Sequence, residues 1–213
     1  MNKLQYISQG STASLQLNGI QTVLDGGCKW IQLRYKSSSL TDIHDLGVKV
    51  RLLCETYGAT FIINDHIRIA HNLDADGVHL GLSDAPVLEA RALLGDQKII
   101  GGTANTWQDV LHRINEKVDY IGLGPLRFTS TKEKLSPILG MEGFQNILSQ
   151  KIALGNTTPI YAIGGVTGED IFDLLSCGVY GVAVSSALLE GKVAERIIQT
   201  FNKKLYGSVD HSG

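Results

Sequence analysis

The segment GLGPLRFTSTK, residues 122–132, closes a short apolar run with glycines and a proline, then supplies Thr129, Thr131 and Lys132. A strand running into hydroxyls and a cation is suited to holding an anion, although a solvated surface loop has the same composition. Gln32, Arg34 and Lys36 alternate with Ile31, Leu33 and Tyr35, so a period of two sets an amide and two cations on one face. Asp65 follows the run FIIN, and Asp84 follows HLGLS. Each is compatible with a helix cap, and together they are compatible with half a shell for Mg²⁺, which takes one or two carboxylates and completes its sphere with water and phosphate oxygens. Thr103 stands in GGTAN, while Gly164-Gly165 and Ser185-Ser186 offer backbone N–H groups and hydroxyls, the ingredients of a phosphate site.

Regular elements must position these groups, and the chain alternates short β-like runs with longer amphipathic ones from end to end. Runs at 4–8, 30–36, 60–64, 77–80, 98–103, 120–124, 159–164 and 181–185 read as strands. Between them, 41–57, 85–94, 106–117 and 167–176 repeat apolar residues at three and four behind Thr, Ser or Asp, the mark of capped helices. Eight strand–helix units with short connections predict an α/β chain folded as a single-domain (β/α)8 TIM barrel over residues 1–213, with its core at 3–205 and a disordered tail at 206–213. An open doubly wound sheet would carry a GxGxxG loop after its first strand, and SQGS at 8–11 has none.

In such a barrel chemistry sits at the C-terminal strand ends, and the polar residues fall there. Ile31, Leu33 and Tyr35 should face the helices, which sends Gln32, Arg34 and Lys36 into the mouth. Asp65 and Asp84 would converge over it, and the glycines before Thr103 would let a ligand approach the backbone. His79, inside the fourth strand, could be a ligand or a base, but a lone strand histidine is more often a hydrogen-bonded core residue, and it is left unassigned. Gly164-Gly165 and Ser185-Ser186, after the last two strands, occupy the usual phosphate position of such barrels. The mouth thus holds two prospective anion sites. One is a backbone nest; the other sets Arg34, Lys36 and Lys132 against Asp65 and Asp84, as plain ion pairs or around a pyrophosphate with Mg²⁺. The segment 126–141 is long for a βα loop and is predicted to act as a lid.

Composition narrows the partners. With 19 basic and 21 acidic side chains the formal net charge is −2, so no global field recruits nucleic acid or an anionic membrane, and phosphate affinity must be local. Small-molecule substrates are the expected partners, with a homo-oligomer left open. Cys28, Cys54 and Cys177 are odd in number, far apart and placed late in helix-like segments, which predicts buried free thiols. The N-terminus MNKLQYISQG lacks the pattern of a cleaved leader, and the expected location is cytoplasmic.

Seven ordered blocks, IQLRYK, FIINDH, DGVHLGLSD, IIGGTA, DYIGLGPLRFTSTK, PIYAIGGVT and GVYGVAVSSAL, resemble the thiamine phosphate synthase (thiamine-phosphate pyrophosphorylase) family over nearly the whole length. The resemblance implies a transferase that joins an aminopyrimidine methyl diphosphate to a thiazole phosphate, or its carboxylated form, releasing pyrophosphate. It implies that Gln32, Arg34, Lys36, Asn64, Thr103 and Lys132 hold the diphosphate substrate, with Arg34, Lys36 and Lys132 taking up the leaving charge. Asp65 and Asp84 would hold Mg²⁺, and Thr129, Thr131, Gly165, Ser185 and Ser186 the thiazole phosphate. His66 stands where an arginine is common, Leu82 where a glutamine is common and Thr103 where serine is frequent. The related alternative is a thiazole tautomerase on the same barrel, which would need a titrating base but not Asn64, paired acids or the 129–132 loop; a non-catalytic phosphate-ligand sensor is a third reading.

Overall fold

The computed structural model describes residues 1–37, 39–128, 137–189 and 194–207. Strands β1 (Leu4–Ile7), β2 (Trp30–Leu33), β3 (Thr60–Asn64), β4 (Gly77–Leu80), β5 (Ile99–Ala104), β6 (Tyr120–Leu123), β7 (Ile160–Ile163) and β8 (Gly181–Val184) close in sequence order into a barrel. Every neighbouring pair is parallel, including β1 with β8. Helices α1 (Ala13–Asp25), α2 (Leu40–Tyr57), α3 (Ile67–Asn72), α4 (Val87–Leu94), α5 (Trp107–Asn115), α6 (Gly140–Ala153), α7 (Ile171–Ser176) and α8 (Ala194–Tyr206) alternate with them. The chain is the single (β/α)8 barrel that its periodicity predicts.

Local chemistry sets the element ends. Thr12 accepts the Leu15 N–H at the start of α1, Ser39 accepts that of Asp42 in α2, and Thr106 with Asp109 forms a capping box on α5. β2 is three residues shorter than the alternating run 30–36, because the Arg34 N–H is taken by the Ser8 hydroxyl at 2.9 Å and the ladder stops there. α7 begins later than expected, since Asp170 draws the Thr167 N–H and hydroxyl into a turn before the helix. α8 runs through Tyr206, whose hydroxyl accepts the Lys3 N–H at 2.7 Å, and the rest of the expected tail, 208–213, lies outside the described residues.

Period two divides the strand side chains as expected. Ile31, Leu33, Phe61, Ile63, Val78 and Leu80 join the core between barrel and helices. Trp30, Ile62, Tyr120 and Tyr161 point inward. The Trp30, Tyr120 and Tyr161 rings meet edge-on with centroids 5.1, 5.2 and 5.4 Å apart, the favoured arrangement for aromatic quadrupoles. In register, Tyr120 lies beside Gly101, and Tyr161 beside Gly122 and Gly181. Large residues thus face glycines, and the barrel is plugged below its mouth. Cys54 lies late in α2 as expected, and Cys177 caps α7; Cys28 lies past the end of α1, just before β2. All three are free thiols, with Cys28 and Cys54 buried and Cys177 half-buried.

Candidate active site

At the C-terminal ends of the strands lies a cavity of about 680 Å³, lined by Gln32, Arg34, Asn64, Asp65, Asp84, Thr103, Gly165, Ser185 and Ser186 among others. These residues come from six strand ends spread over the sequence. Lys36 is exposed and does not line the cavity, because β2 stops at Leu33 and the period of two no longer governs it; its charge still acts on Asp65. Thr129, Thr131 and Lys132, with the middle half of the expected lid, 129–136, lie outside the described residues.

Gln32, buried on β2, donates its amide to Asn64 Oδ1 on β3 at 2.7 Å. That bond fixes two amides side by side without adding charge. Neither aspartate caps a helix. The N-cap of α3 is His66 and that of α4 is Pro86, both without a side-chain cap bond. Asp84 Oδ2 instead accepts the Gly81 N–H at 2.5 Å. Asp65 holds a left-handed φ of 66°, uncommon for a non-glycine residue and typical of strained functional positions. Burial, then hydrogen bonding and repulsion from the Asp84 carboxylate, push the Asp65 carboxyl up to about 7, against the pull of Arg34 and Lys36. Two acids share one place that favours a single negative charge unless a cation joins them. Among the described residues no group of three or more His, Cys, Asp or Glu could hold a metal. Two carboxylates in contact nevertheless fit Mg²⁺, whose remaining ligands are water and substrate oxygens.

Thr103, on β5, is reached through a buried chain of polar groups. Gln5 Nε2 donates to the Tyr120 hydroxyl at 3.1 Å, that hydroxyl meets His79 Nδ1 at 3.0 Å, and His79 Nε2 meets Thr103 Oγ1 at 3.0 Å. In the neutral imidazole, with Gln5 as donor and Tyr120 passing its hydrogen to Nδ1, Nε2 donates to Thr103, whose own hydrogen is left for the cavity. His79, which the sequence left unassigned, is thus a positioned cavity residue. The glycines of β5 do not make room for a ligand. A Cβ on Gly101 would lie 2.2 Å from Tyr120 and 2.6 Å from His79 Nδ1, and one on Gly102 would lie 2.6 Å from Arg113 Cδ. Their space is filled by this chain's own side chains.

Arg113 was not legible as a site residue, since it reads as one charge in an amphipathic helix. Buried, it donates to Thr103 O at 3.0 Å, Gly81 O at 2.8 Å and Leu80 O at 3.3 Å, and pairs with Glu116 at 2.7 Å. It therefore holds the ends of β4 and β5, where Thr103 and the Asp84 turn begin. Asn105 lines the same wall and donates to the Gly124 carbonyl. On the opposite wall, Gly164 and Gly165 carry φ of 84° and 69°. The Ser185 hydroxyl donates to Ile7 O at 2.7 Å, so its proton is already committed, while Ser186 lines the cavity.

A closed eight-stranded barrel with Arg34, paired acids and a glycine turn gathered at one rim defines a (β/α)8 enzyme of phosphate-bearing substrates. A family model described as thiamine monophosphate synthase matches residues 6–188. The thiamine-phosphate synthases of Flavobacterium psychrophilum and Flavobacterium johnsoniae are each 50% identical, over 96% and 98% of this chain and 99% and 98% of their own. A solved thiamine phosphate pyrophosphorylase from Pyrococcus furiosus superposes with a TM-score of 0.81 at 27% identity, covering 95% of each chain. The chain belongs to the thiamine monophosphate synthase family.

Proposed function

We propose that this chain couples an aminopyrimidine methyl diphosphate to a thiazole phosphate in the cavity at the barrel rim, giving thiamine phosphate and pyrophosphate. The observation that carries this reading is the convergence of Arg34, Asp65, Asp84, Asn64 and Thr103 on one cavity whose far wall is the Gly165 and Ser186 backbone. The bond from the pyrimidine methylene to the pyrophosphate oxygen breaks first, the electron pair leaving with pyrophosphate, and the thiazole nitrogen then bonds to the carbocation-like methylene. The thiazole nitrogen is already nucleophilic, so no strong base is required.

In this reading Gln32 and Asn64, already paired with each other, hydrogen-bond the pyrimidine edge, and the hydroxyl of Thr103, held by His79, adds a third contact. Arg34, with Lys36 nearby, takes up charge on the departing group. Asp65 and Asp84 would hold Mg²⁺, which when bound supplies further neutralisation of the leaving pyrophosphate. Ile7, Phe128, Ile163 and Val166 line the cavity and help exclude water from a carbocation-like methylene. Lys132 is assigned to the pyrophosphate, and Thr129 and Thr131 to the thiazole phosphate, on the family resemblance. Free thiols and the lack, among the described residues, of a helix long and apolar enough to cross a membrane support a cytoplasmic location.

Pyrophosphate release with the two purified substrates and Mg²⁺ tests the reading. EDTA is expected to abolish turnover, and Asp65→Ala to lower kcat by about 100-fold or more, the cost of losing a charge-stabilising contact in a dry site. Metal-independent proton exchange on the thiazole phosphate, without coupling, would establish the tautomerase instead.

A further inference from the structure

The β7–α7 turn that offers its backbone to the cavity is held from outside by one side chain of the neighbouring loop. Arg127, just past β6, donates through Nη1 and Nη2 to the two Asp170 oxygens at 2.6 and 2.5 Å, and again through Nη1 to Gly165 O at 3.2 Å. Its backbone N–H donates to Gly164 O at 3.0 Å, and that of Leu126 to Ile163 O at 3.0 Å. Asp170, only 7% exposed at its side chain, also accepts the Thr167 N–H and hydroxyl at 2.8 and 2.9 Å. Arg127 therefore bridges the two ends of the turn 164–170, the Gly164 and Gly165 carbonyls at one and the Asp170 carboxylate at the other.

The consequence follows from peptide geometry. In a trans peptide the carbonyl and the following N–H point in opposite directions, and both peptides here are trans. With the Gly164 and Gly165 carbonyls turned to Arg127, the N–H groups of Gly165 and Val166 point the other way. Both residues line the cavity, and neither N–H has an acceptor among the described residues. At Gly165 an added Cβ would lie 2.9 Å from Arg127 Cβ, so the two loops are in close contact.

We propose that Arg127 is a positioning residue that, through Asp170 and the Gly164 and Gly165 carbonyls, locks the β7–α7 turn in the shape that binds the thiazole phosphate. The inference rests on the proposed placement of that phosphate at the Gly165 and Ser186 wall. It acts through the two-pronged guanidinium rather than through charge, which separates Arg127→Lys from the parent.

The test is steady-state kinetics of Arg127→Lys, Arg127→Ala, Asp170→Asn and the Arg127→Ala/Asp170→Asn double variant, varying each substrate in turn, with thermal unfolding recorded for each. Both Arg127 variants are expected to raise KM for thiazole phosphate about tenfold, with kcat and KM for the pyrimidine diphosphate within about twofold. The double variant should be no worse than the poorer single one, since both break the same contact. Parent-like KM in Arg127→Lys, effects that multiply in the double variant, or an equal rise for both substrates would overturn the inference. Ser186→Asp serves as the control, setting a carboxylate on the same wall away from Arg127. If it leaves KM for thiazole phosphate unchanged, the placement of the phosphate fails and the inference with it. If it raises KM while the Arg127 variants do not, only the inference fails.

Discussion

Thr103 and Asp170 show how far the behaviour of one residue depends on what it touches. The Thr103 hydroxyl is aimed by His79, which is aimed in turn by Tyr120 and Gln5. His79→Ala is expected to lower kcat/KM for the pyrimidine diphosphate by about 10- to 100-fold, the equivalent of one strong hydrogen bond, and Gln should restore part of it. Saturation kinetics in that substrate will decide; an unchanged value would confine His79 to structure. At Asp170 burial favours the neutral acid, but the bonds from Arg127 and Thr167 outweigh it and hold the carboxyl below its usual range. Its folded value is depressed, so the stability it contributes is present above the unfolded value of about 3.9 and is lost as pH falls through the lower folded one. Asp170→Asn should therefore show a shallower loss of stability below about pH 4, read by urea unfolding across that range.

At the level of elements, the β4–β5–β6 wall is built by filling glycine positions from neighbouring strands and helices. Gly101→Ala drives a methyl into Tyr120 and His79, and overpacking at such a site costs about 1–3 kcal/mol. Arg113→Met leaves the Thr103, Gly81 and Leu80 carbonyls without their guanidinium donor, and a loss of about 2–4 kcal/mol is expected. Denaturant midpoints at constant m-value will measure both. A neutral outcome for Arg113→Met would mean that water satisfies the three carbonyls as well as the side chain does. The wall also explains why GGTAN is misread in isolation. Small residues announce a close approach, but whether a ligand or a tyrosine makes it depends on which strand lies alongside.

For the whole molecule, closure of β1 on β8 removes sheet edges, and a floor of aromatic rings lets the mouth be polar without opening a pore through the core. The thiols follow the same partition. Burial pushes Cys28 up to about 11 and Cys54 up to about 12, so both stay protonated and inert at neutral pH; burial raises Cys177 too, but its side chain is only half-buried and so open to reagent. Alkylation of the native protein followed by mass mapping should label Cys177 first and leave Cys28 and Cys54 unlabelled until unfolding. Rapid labelling of Cys54 would mean that α2 opens from the barrel locally.

Hydrophobic period and turn chemistry are local properties, so the eight strand–helix units, the inward face of Gln32 and the glycine and serine stretches after β7 and β8 were all determined by the sequence itself. Those signals are enough to place Gln32, Asn64, Asp65, Asp84 and Thr103 at one rim, since a barrel brings every strand end to the same side. What only the tertiary structure decided are the contacts between units far apart in the chain. Ser8 ends β2 and leaves Lys36 outside the cavity, Arg113 reaches across to β4, the Ser185 proton goes to Ile7, and Arg127 grips Asp170. A hydrogen bond between residues tens of positions apart leaves no period in the sequence, because its direction is set by packing and not by the local backbone.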